Sequence, residues 1–209
     1  MDKKKELEEI ARQVAQCQSC SLYKTANLSV PGEGDFESKL MFIGEGPGFN
    51  EDKQGRPFVG QAGRLLDEML LSIGLKREEV FIGNVIKHRP PENRDPQPFE
   101  IEACGVWLDR QIEIIDPDVI ITLGRFSMNK FLPGEFISHV HGQSRYVVFF
   151  GKKRIIIPMY HPAAALRNGN VLAELKKDFQ KIIPFLGGKA TEEKKEEGKE
   201  EINEQLGLL

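Results

Sequence analysis

Residues 44–60, GEGPGFNEDKQGRPFVG, gather glycines, carboxylates and aromatic rings directly behind a short apolar run. Glycines in such a loop let a ligand approach the backbone closely. The loop is no P-loop, because no Lys-Ser/Thr pair follows, and it lacks the spacing of the dinucleotide fingerprint. A phosphate-cradling loop of another nucleotide-binding fold stays open as the bland alternative. Glu45 and Glu51 sit in or beside it, and a carboxylate there can orient a water molecule. Asn84, in NVIK, offers a donor and an acceptor side by side. His161, in YHPAAALR, can donate to an oxygen on which charge builds. Cys17 and Cys20 form a CxxC and Cys104 stands alone. With disulfides disfavoured in a reducing compartment, the pair reads as metal ligands or a redox motif. It closes an amphipathic helix rather than sitting in a βαβ unit, which favours a metal.

These residues need a scaffold. Helical spacing runs over residues 3–14 and breaks at the cysteines. Residues 39–43 (KLMFI), 80–86 and 118–124 (DVIITLG) read as buried parallel strands, two of them running into glycine. Residues 61–73 are amphipathic and Gly74 suits a C-cap. After the polar loop KHRPPENRDPQP, Pro98 opens a helix to about residue 115. Residues 146–160 read as a hairpin turning at GKKR, and a last helix covers 171–185. Alternating strands and helices predict an α/β, three-layer αβα sandwich around a central, mostly parallel four-stranded sheet. In such sheets the site lies beyond the C-terminal strand ends, where residues 44–60 and His161 both fall.

Composition narrows the classes. The 209 residues predict one folded domain over 1–188, followed by a charged tail over 189–209 that reads as disordered. No run reaches the roughly 18 apolar residues of a membrane span, and the charged N-terminus lacks a signal-peptide core. A cytoplasmic, non-membrane monomer is therefore expected. The net charge is -3, but residues 189–209 hold four of the 29 basic and seven of the 32 acidic side chains, leaving a neutral body. Charge neither supports nor excludes a nucleic-acid partner. The Glu-Lys balance points weakly to thermostability.

The blocks GEGPGFNED, GRPFVGQAG, NVIKHRPPENRDP, DVIITLG and PMYHPAAALR, in this order, resemble the family 4 uracil-DNA glycosylases, the iron–sulfur branch of bacteria and archaea. The resemblance covers residues 10 to 185. It implies hydrolysis of the N-glycosidic bond of deoxyuridine in single- and double-stranded DNA, with the base flipped out and an abasic site left. It makes Asn84 the reader of uracil O4 and N3-H, Phe58 the ring stacked on the extruded base, and His161 the donor to uracil O2. Glu51 is first choice for the water, with Glu45 shaping the uracil pocket. Gly46 stands where the better-known branch has its catalytic aspartate, so that base does not carry over. Arg167 is expected on a DNA phosphate and Leu166 as the wedge, Ala165 being too small.

The same resemblance implies a [4Fe-4S] cluster on four cysteines. This chain offers Cys17, Cys20 and Cys104, with His88 at the remaining position, so a Cys3His site is expected. Zinc is the alternative metal, and His88 as an ordinary loop residue is the alternative role. Competing readings are a non-catalytic iron–sulfur or DNA-binding module, and a glycosylase of broader range acting on hypoxanthine or xanthine.

Overall fold

A computed structural model describes residues 2–186; the expected charged tail lies outside them. Six strands form one sheet: β1 (Glu33–Gly34), β2 (Leu40–Gly44), β3 (Phe81–Asn84), β4 (Val119–Leu123), β5 (Arg145–Phe149) and β6 (Lys152–Met159), in spatial order β1-β3-β2-β4-β6-β5. The inner four are parallel, and each edge strand is antiparallel to its neighbour. The expected four-stranded sheet is thus corrected to a mixed sheet of six. Two-residue β1 is too short to carry a periodic signal, and β5, the first arm of the expected hairpin, adds to the sheet as its other edge.

Helices cover both faces. They are α1 (Lys3–Ala15), α2 (Phe49–Gln54), α3 (Gln61–Leu71), α4 (Pro98–Ile115), α5 (Arg125–Phe131), α6 (Ile137–Val140), α7 (Pro162–Ala165) and α8 (Gly169–Gln180). The pleat sends alternate side chains to opposite faces. Leu40 and Phe42 of β2 join Leu66, Leu70, Leu175 and Phe179 of α3 and α8. Met41 and Ile43 join Ile10 and Val14 of α1 and Leu108 and Ile112 of α4. Burial on both faces explains why β2 to β4 read as unbroken apolar runs.

Two boundaries moved. β3 ends at Asn84 rather than residue 86, because Val85 and Ile86 donate their amides sideways to the carbonyls of Gly44 and Glu45. The hairpin turns at Phe150 and Gly151, both with positive φ, and GKKR is mostly strand. A two-residue turn with both φ values positive matches strand twist; phenylalanine is an uncommon occupant, which hid it.

The chain leaves β2 toward β3 on one side, whereas β4 leads to β6 on the other. The crevice lies where those directions diverge. Loops after β2, β3, β4 and β6 all open there.

Candidate active site

Gly44 ends β2 with no room for a side chain. A methyl there would lie 2.5 Å from Asn84 Oδ1 and 2.6 Å from Phe58 Cζ. The absence of a Cβ therefore brings the amide of Asn84, the edge of Phe58 and bare backbone to one point. Asn84 is buried at 2 % exposure, and its Oδ1 has no hydrogen-bond partner. Buried polar atoms are nearly always paired, so an unpaired acceptor at a strand's C-terminal end marks a place for a ligand donor. The Lys87 ammonium, wholly buried, fixes the base of this residue by donating to the Asn84 carbonyl at 3.0 Å and to Gln111 Oε1 at 2.7 Å.

Phe58 is buried, and its ring stacks on the imidazole of His161 with centroids 5.5 Å apart. His161 caps α7: its Nδ1 accepts from the Ala163 amide at 3.1 Å. The neutral ring therefore carries its proton on Nε2. Burial pushes its pKa down to about 4, against a smaller opposing pull from Glu51, so the ring is neutral at physiological pH. Gly124, which starts the loop after β4, has φ +94°, and a Cβ there would sit 3.2 Å from His161 Cβ.

The two glutamates differ. Glu51 lies in the first turn of α2, and its Oε1 accepts from the amides of Val59 and Gly60 at 2.8 Å each. One of its oxygens is thus committed to the loop. Glu45 follows β2 directly; burial, aided by Asp95 and opposed by Arg125, raises its pKa to about 7. Gly46 packs against Ile86, where a Cβ would come within 2.6 Å of Cγ1. Leu166 is 49 % exposed just past α7, Arg167 is exposed beside it, and Ala165 is buried.

The three thiols lie at one corner, within electrostatic reach of one another. Cys104 is buried with Met41 and Ile43, and Cys20 packs against that group. Cys104 Sγ accepts from the Lys87 amide at 3.2 Å, and Cys17 Sγ from the Trp107 indole at 3.4 Å. Sulfurs receiving N–H donors suit a thiolate-bound metal group. His88, 7 % exposed, lines a cavity of about 140 Å³ together with Cys17. Among the described residues, however, no three His, Cys, Asp or Glu side chains are gathered closely enough to hold a metal ion. The donor types fit; a closed ligand shell is not assembled.

Sequence reasoning missed two residues that organise the site. Asp52, wholly buried, accepts from the Asn27 amide (2.8 Å), the Asn27 side chain (2.5 Å) and the Leu28 amide (3.4 Å). It ties the stretch after the cysteines to α2. Arg77 grips the turn before Phe58. Both were lost among ordinary charged residues; a carboxylate directly beside Glu51 on a short helix was the available clue to Asp52.

The structure is an α/β sandwich whose parallel strands diverge beside the unpaired Asn84 amide oxygen, the Phe58 ring and His161. Residues 31–196 match the model of the uracil DNA glycosylase superfamily. The chain is 48 % identical to the type-4 uracil-DNA glycosylase of Archaeoglobus fulgidus, over 88 % of this chain and 94 % of that protein. It is 46 % identical to the type-4 enzyme of Thermotoga maritima, over 86 % and 94 %. A type-5 uracil-DNA glycosylase of Thermus thermophilus is 30 % identical over 49 % of this chain and 53 % of that protein. The chain belongs to the uracil DNA glycosylase superfamily, in its type-4 branch. Among the described residues no helix is long and apolar enough to cross a membrane.

Proposed function

We propose that this protein hydrolyses the N-glycosidic bond of deoxyuridine in DNA, releasing uracil and leaving an abasic site for base excision repair. The observation that carries the reading is the unpaired Oδ1 of Asn84, which meets the Phe58 ring at the space left by the missing Gly44 side chain. Uracil supplies the missing donor from N3-H, and the Asn84 Nδ2 donates to O4; cytosine presents the opposite pattern. The extruded base stacks on Phe58. His161 Nε2-H faces O2, on which charge accumulates as the bond breaks. Glu51, through the oxygen not bound to the loop, orients the attacking water and stabilises the cationic sugar; Glu45 and Gly46 shape the pocket wall. Leu166 enters the gap left by the flipped nucleotide, and Arg167 meets a phosphate.

In an assay on single- and double-stranded DNA with one uracil, followed by alkali, the wild-type chain is expected to cut both substrates at the uracil position. Intact strands would overturn the reading and favour a non-catalytic module. Cleavage at hypoxanthine or xanthine as fast as at uracil would favour the broader glycosylase.

The same branch implies a [4Fe-4S] cluster, held by Cys17, Cys20, Cys104 and His88. The shared corner of the thiols and their N–H donors support it. Such a group would serve here as a structural pin between the N-terminal segment and the loop after β3. Protein purified without oxygen is expected to carry iron and sulfide in roughly equal amounts. Zinc with no iron would refute the cluster, and unchanged iron in His88→Ala would remove His88 from the ligand set.

A further inference from the structure

Phe58 has φ +51°, in the left-handed region where a bulky side chain is a genuine outlier. A turn in this conformation persists only when its surroundings over-determine it. Arg77, in the 3-10 turn Arg77–Glu79 before β3, supplies one side of the restraint. Its Nη1 donates to the Phe58 carbonyl at 3.1 Å, and its Nη2 donates to the Pro57 carbonyl. The guanidinium is itself held, by Nε to Glu33 at 2.9 Å and by Nη1 to Asp67 at 3.1 Å. Burial alone would raise the Glu33 carboxyl, but hydrogen bonds from Arg56 and Arg77 hold it below the usual range. From the other side, Glu51 receives the amides of Val59 and Gly60. The three consecutive peptide units linking residues 57–60 are thus gripped: two carbonyls by a cation, two amides by an anion. Gly63 completes the fit, because any Cβ there would collide with the Phe58 carbonyl.

We propose that Arg77 is a positioning residue for base recognition: its guanidinium locks the 57–58 turn so that the Phe58 ring stands pre-set to stack on the extruded base. The proposal rests on the glycosylase reading. It needs an arginine, whose planar fork serves several acceptors at fixed angles; a lysine offers one compact centre. It also explains a two-residue β1: Glu33 is placed there to seat Arg77. A preset ring binds the base without first losing conformational freedom.

The test uses the full chain on single-uracil DNA, with three readings: inhibition by free uracil, the kcat and KM split, and binding to abasic-site DNA. Arg77→Met is expected to weaken uracil inhibition about tenfold, within the range that base stacking contributes. Binding to abasic-site DNA, which presents no base to the Phe58 ring, should change less than about twofold. Arg77→Lys should recover part of the loss. In a Phe58→Ala background, Arg77→Met should cost no more than about twofold, since residues acting through one another are not additive. Wild-type uracil inhibition in Arg77→Met, or a full independent penalty in the Phe58→Ala background, overturns the proposal. If Arg77→Met does not fold, Arg77→Lys and Glu33→Gln carry the same readings. A wild-type chain that releases no uracil would overturn the underlying reading instead, whereas wild-type-like Arg77 variants of an active enzyme would overturn only this one.

Discussion

Replacing Asn84 by alanine is expected to lower kcat/KM on uracil-containing DNA about 100-fold without lowering the melting temperature. In the proposed role the amide would make two hydrogen bonds to the base, each worth about 1 kcal/mol net, and its loss would also leave polar edges of the bound uracil unpaired. About 3 kcal/mol in total corresponds to roughly 100-fold, at one decade per 1.4 kcal/mol. Stability moves the other way. Without a ligand, Asn84 Oδ1 is a buried acceptor with no partner, a state that costs about 1–3 kcal/mol. Removing it offsets the packing lost with the side chain. A binding residue thus separates from a structural one: activity falls while the fold holds. Activity within threefold of wild type in a steady-state assay would remove Asn84 from the recognition site.

Replacing His161 by alanine should lower kcat about 10²–10³-fold, the usual cost of one preorganised donor to a developing anion. The pH dependence identifies the donor's form. The imidazole titrates near 4, so it is neutral at both pH 5.5 and pH 8.5, and the ratio of wild-type to His161→Ala rates is expected to be the same at each. A histidine with an ordinary value near 6.5 would be cationic at pH 5.5, a stronger donor there, and the ratio would grow as pH falls. A ratio that grows in this way contradicts a neutral donor.

What could be read from the sequence was whatever the chain states locally. A buried parallel strand announces itself as an apolar run ending in glycine, so β2 and β4 were legible, and with them the edge of the crevice. Asn84 and His161 could be nominated because each stands at or just past the end of a strand, within a motif. The invisible part lies in distant pairings. Nothing near Arg77 says that its donors will find carbonyls some twenty positions earlier. Nothing near Glu51 says that one of its oxygens will be spent on the amides of Val59 and Gly60. The hairpin turn was misplaced for a related reason: GKKR looks polar, but Phe150 tolerates a positive φ because the paired strands impose it. The cysteines stand apart, since spacing can nominate ligands but cannot close a coordination shell.

Asp52 carries a consequence for how this enzyme breathes. Its carboxylate is wholly buried, and most of its partners lie on residues 27 and 28. Peeling that segment away strands a charge in the interior, so the segment and α2 cannot open independently. They form one cooperative unit, or foldon. A ligand that bound the cysteines and steadied the N-terminal segment would, by linkage, steady α2 to the extent that the two are coupled. Order in the N-terminal segment would thus be felt as rigidity in α2, the helix that carries Glu51.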